Sequence, residues 1–111
     1  MLEIKKSTKR REVNISEWNP DVKAYVRDLN GFERLTFLDQ LDQFQNRDLP
    51  KVERVEAGIA ACIMALVDEN GNQLLSLDQI DELKEASYNP IWRVLNLLIN
   101  TDARDESLKN G

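Results

Sequence analysis

Ten consecutive residues, Gly58 to Val67, carry no charge in a chain of which 32% is charged. Such a run falls well short of the roughly 20 apolar residues of a membrane-spanning helix, so the rest of the protein has to wrap it. Val52, Val55, Ile59, Cys62, Ile63 and Leu66 recur at helical spacing into and through it, which predicts a central core helix over residues 51–66. With 111 residues, 41% of them hydrophobic, the chain can build one domain around that helix and not two.

The other elements read as partners of this helix. Residues 12–15 and 22–29 are short β-branched segments separated by an Asn19-Pro20-Asp21 turn, which predicts an antiparallel hairpin. In its second strand Val22, Ala24 and Val26 share one face and Lys23, Tyr25 and Arg27 the other, as in a sheet covered on one side. Trp18 is expected to fold back as a lid over that sheet. Asn30, with Glu33 three residues on, forms a capping box that opens a helix reaching Gln45. Asp48 is expected to cap the core helix and Pro50 to fit its first turn. Residues 68–72 form a turn around Asn70-Gly71. Ser76 and Gln79 start a third helix to Ala86, with Leu77, Ile80 and Leu83 inward, and Asn89-Pro90 caps a last one carrying Ile91, Trp92, Val94, Leu95, Leu98 and Ile99. The predicted class is mainly α (α+β), an N-terminal β-hairpin packed on a bundle of about four short helices. It divides into a basic, flexible arm over residues 1–11, a single helical domain over 12–100, and a flexible tail over 101–111.

Little in this chain suits catalysis. It has no histidine, and so lacks the usual proton shuttle near neutrality, the commonest zinc ligand, and the base of serine- or cysteine-dependent reactions. Its one cysteine, Cys62, sits between Ala61 and Ile63 and reads as a core residue. Asp78, Asp81, Glu82 and Glu85 line a solvated helix face, without the burial that separates the pKa values of paired acids. A calcium loop with Gly71 at its sixth position puts Leu66 and Leu77 at the first and twelfth, where carboxylates are needed. No enzyme activity, cofactor, metal site or membrane span is expected, and the place of action is expected to be cytoplasmic.

The formal net charge is −5, yet residues 1–11 hold five cations against Glu3, a local +4 that leaves −9 elsewhere. That basic arm raises the alternative of a small DNA-binding regulator, with the helices around Asn89 as a helix-turn-helix. Against nucleic acid, the last helix offers only Arg93 and Arg104 as cations and the body is acidic.

The order of these signals resembles the tail assembly chaperones of long-tailed bacteriophages and their prophages. The likeness rests on the hairpin with Trp18 before its second strand, on Val26-Arg27-Asp28-Leu29-Asn30-Gly31-Phe32-Glu33-Arg34, and on Ala65-Leu66-Val67-Asp68-Glu69-Asn70-Gly71-Asn72-Gln73-Leu74-Leu75-Ser76, followed by the terminal helix pair. Each piece is also an ordinary helix start or turn; their order and spacing carry the resemblance. It implies a non-structural protein that binds the tape measure protein, keeps it soluble, and helps recruit tail tube subunits before leaving. It also implies that many members exist in two lengths through ribosomal frameshifting, this chain being the short product; a slippery heptamer near the codons for Lys109 and Asn110 would encode the longer form. A holding chaperone needs an exposed apolar surface rimmed by charge. Phe37, Phe44, Trp92 and Leu97 are the candidates, because each sits at or beyond the edge of the apolar face its helix needs for packing. Self-association through the same faces is the open alternative.

Overall fold

The computed structural model describes residues 1–110, with side chains as far as residue 100. In chain order the elements are β1 (Arg10–Val13), β2 (Ala24–Arg27), α1 (Gly31–Gln45), α2 (Lys51–Ala65), β3 (Leu66–Val67), a 3-10 turn (Leu77–Gln79) leading into α3 (Ile80–Glu85), and α4 (Asn89–Asn110). The architecture is α+β as predicted, four α-helices with a small antiparallel sheet of order β1-β2-β3. The flexible tail expected over residues 101–111 falls on residues whose side chains lie outside those described.

The hairpin pairs in the register Arg10↔Arg27 to Val13↔Ala24. Its inner face is the expected one, Ala24 and Val26 being fully buried, while Val22 lies beyond the strand and is exposed. The third strand is new. Leu66 and Val67, expected to end or follow the core helix, leave it and pair with Val26 and Tyr25. A helix cannot bring these residues to the sheet edge, so α2 stops at Ala65 and the chain turns extended at Leu66.

Helix α2 is the core helix, touching α1, α3 and α4. Every residue from Ala57 to Val67 is buried except Ala60 and Met64, which are partly so. Pro50 occupies the N-cap position, with no side chain capping the helix, so Asp48 does not play the expected part. Its amide instead donates to Asn46 Oδ1 in a local turn. In the next turn Asp68 Oδ1 accepts from the amides of Asn70 and Asn72, and Gly71 takes a φ of 86°, which a β-carbon would strain. Leu77 stands at the outer end of the 3-10 turn and is exposed, whereas Leu83 reaches the core.

Gly58 sets the distance between helices. A β-carbon there would lie 2.8 Å from Phe44 Cδ1 and 3.0 Å from Ile91 Cγ2. The missing side chain is what lets the Phe44 ring of α1 and Ile91 of α4 meet the α2 backbone. Gly58→Ala gains helix propensity but forces that ring aside, and a net loss of about 1–3 kcal/mol is expected in chemical denaturation.

Arginines hold the elements together through main-chain carbonyls. Arg27 Nε donates to Met64 O, Arg54 Nε to Phe44 O, Arg34 Nη1 to Leu98 O, Arg11 Nη2 to Leu97 O and Arg93 Nη1 to Asn14 O. Two of them also grip a carboxylate with both arms: Arg27 on Glu33 and Arg93 on Glu17. Glu33 accepts from the Asn30 amide as well, so the predicted capping box is also the anchor that ties α1 to the sheet. The guanidinium groups hold both carboxyls at about 2, below their ordinary 4.5. Because the folded-state values are depressed, this stabilisation is complete above about pH 4.5 and is lost as pH falls towards 2. A Glu17→Gln, Glu33→Gln double variant is expected to flatten the acid limb of a stability-against-pH curve in that window.

Candidate protein-binding face

Helix α1 carries apolar side chains on two opposite sides, which nearly cancel as a directional signal. The structure chooses between them. Phe37, Leu41 and Phe44 turn inward, with Phe37 fully buried, Phe44 nearly so and Leu41 packed on the core. Phe44 stacks between Tyr88 and Trp92 at centroid distances of 6.0 and 5.8 Å. The Phe44 ring fills the room that Gly58 leaves, and the Arg34 guanidinium lies 5.4 Å from the centre of Phe37. Phe37 and Phe44, expected at an exposed edge, are core residues and offer no surface to a partner.

The opposite side of the same helix is the bare one. Phe32 is 82% exposed, Leu35 66% and Leu38 44%. At about 100° per residue these three lie within a third of the helix circumference, and Asp39 and Asp42 continue the same face towards the C-terminus. The result is an apolar half-stripe followed by an acidic one. The capping box aims it, because Glu33, gripped by Arg27, fixes the rotation of the first turn. The sequence had put Phe37 and Phe44 at the edge of the packing face instead; the available signal was Gly58, which marks where a large flat side chain approaches α2.

The two remaining candidates lie on α4. Trp92 is 37% exposed, with one face on Phe44, and Tyr88 beside it is 49% exposed. Leu97 is partly buried against the core and its carbonyl accepts from Arg11. Trp92 therefore sits at the edge of a second, smaller aromatic patch, apart from Leu97. Trp18, expected as a lid over the sheet, is partly buried against the core: its Nε1 donates to Ser87 O at 2.8 Å, and it walls a cleft of about 310 Å³ with Val22, Leu74, Leu75 and Leu83.

Among the described residues, no three histidine, cysteine, aspartate or glutamate side chains gather where they would hold a metal ion. Cys62 is buried, and burial pushes its thiol far above the ordinary range. No described helix is long and apolar enough to cross a membrane.

These features define a small α+β fold with a bare apolar face on α1. That fold is similar to the solved structure of the bacteriophage HK97 tail assembly chaperone, with a TM-score of 0.53 and 18% sequence identity over 81% of this chain and 85% of that one. No family model and no curated protein sequence matches the chain.

Proposed function

We propose that this protein is a phage or prophage tail assembly chaperone that binds the tape measure protein, keeps it soluble, and helps recruit tail tube subunits. The observation that carries this reading is the bare face of α1, where Phe32, Leu35 and Leu38 stand exposed together. A tape measure protein is a long, largely helical chain whose apolar stripes aggregate when uncovered. A helix face of matching character, continued by Asp39 and Asp42, covers such a stripe and selects segments with cations beside it. The fold shared with the HK97 chaperone supports the assignment. The work is done by binding alone, in the host bacterial cytoplasm, and the protein leaves before the virion is complete.

The direct test is co-expression with the cognate tape measure protein. A large rise in soluble tape measure protein is expected. No gain would contradict the proposal.

A further inference from the structure

The cleft beside Trp18 shares no residue with the α1 face, and the client reading leaves it unused. Ile15, Leu66 and Leu83 line it as buried residues, while Trp18, Leu74 and Leu75 are only partly covered and Val22 is exposed. Apolar surface thus converges there from the hairpin loop, from the segment after β3 and from α3.

Both sides of the cleft are braced by the chain itself. On one side the amides of Trp18 and Asn19 donate to Ile15 O at 2.8 and 3.0 Å, Trp18 Nε1 donates to Ser87 O, and Arg93 holds Glu17 and Asn14 O, so the loop is pinned to the start of α4. On the other, the Leu74 amide donates to Leu66 O at 3.2 Å, and the Ser76–Gln79 capping box fixes the turn that follows. A cleft whose walls are already tied loses little ordering entropy when it is filled. At about 310 Å³ it lies at the foot of the roughly 300–1,000 Å³ range of ligand sites, which gives room to one bulky side chain and not to a helix.

Its charge is one-sided. Among the described residues no lysine or arginine lines the cleft, and of its two carboxylates Glu17 is neutralised by Arg93 while Glu82 stands exposed. Asp78, Asp81 and Glu85 are exposed on the same short segment, whose cation Lys84 pairs with Glu56 of α2 and with Asp81. An anionic ligand meets repulsion here; a cation beside an apolar group meets attraction.

We infer that this cleft is a second docking site, which takes one bulky apolar side chain from a partner protein's segment that carries a lysine or arginine next to it, the apolar group against Trp18 and Leu75 and the cation on Glu82. The inference does not depend on the reading of α1 as the client face, because the two sites are built from different residues.

Titration of the full chain with the acetylated, amidated peptide Gly-Ser-Leu-Lys-Ser-Gly tests this, with the two tryptophan indole N–H resonances as reporters, since Trp18 lines the cleft and Trp92 does not. Saturable shifts at Trp18, Leu75 and Glu82 are expected at millimolar peptide, with Trp92, Phe32, Leu35 and Leu38 unmoved. Replacing the peptide's leucine by alanine is expected to weaken binding at least roughly tenfold, and replacing its lysine by glutamate about threefold. Glu82→Lys, at an exposed position, is expected to reverse that charge preference. Replacing Phe32, Leu35 and Leu38 together by serine is expected to leave peptide binding unchanged, so failure of the client reading and failure of this one show at different residues. No saturable shift at Trp18, shifts that follow the α1 face, equal binding of the leucine and alanine peptides, or a charge preference that Glu82→Lys leaves as it was would each overturn the inference.

Discussion

Phe44→Ala is expected to lower the free energy of unfolding by about 3–5 kcal/mol, the loss typical of emptying a buried phenylalanine site. Three contacts go at once: the stack on Tyr88, the stack on Trp92, and the fit over Gly58. Phe37→Ala belongs to the same range, since its ring is wholly enclosed. Urea denaturation at neutral pH measures both. A change of only a few tenths of a kcal/mol would mean that these rings stand at a surface, as their sequence positions suggest, and would undo the orientation of α1 described above.

The mirror-image experiment carries the functional weight. Replacing Phe32, Leu35 and Leu38 together by serine is expected to leave stability within about 1 kcal/mol, because exposed side chains contribute little to folding. Binding should respond in the opposite sense. Large apolar anchors at the centre of an interface commonly contribute more than about 1 kcal/mol each, so losing three is expected to weaken client binding roughly hundredfold and to return co-expressed tape measure protein to the insoluble fraction. The contrast between the two sets of variants separates a packing face from a binding face on one helix.

How much of this was written in the sequence differs from element to element. The start of α1 was legible because capping is local: Asn30 and Glu33 satisfy each other's backbone within a single turn. The core helix was legible because a run without charge has nowhere else to go. Strand β3 was not, since two residues become a strand only through pairing with Tyr25 and Val26 some forty positions earlier. The facing of α1 was also hidden, with aromatic and aliphatic residues on both sides and only the distant Gly58 to decide between them. The grip of Arg27 on Glu33 and on the Met64 carbonyl joins three segments, and no spacing rule anticipates it. Phe37 and Phe44, drawn from helical periodicity as exposed edge residues, are therefore buried, while Trp92, the edge candidate of α4, is partly exposed.

The central claim, that the outer face of α1 holds the client, is tested most directly by following the backbone amide resonances of the labelled protein as a tape measure segment is added. The account predicts the largest shifts at Phe32, Leu35, Leu38 and Asp39, with the buried residues of α2 little changed. Shifts centred instead on Tyr88 and Trp92, or none at saturating segment, would contradict it.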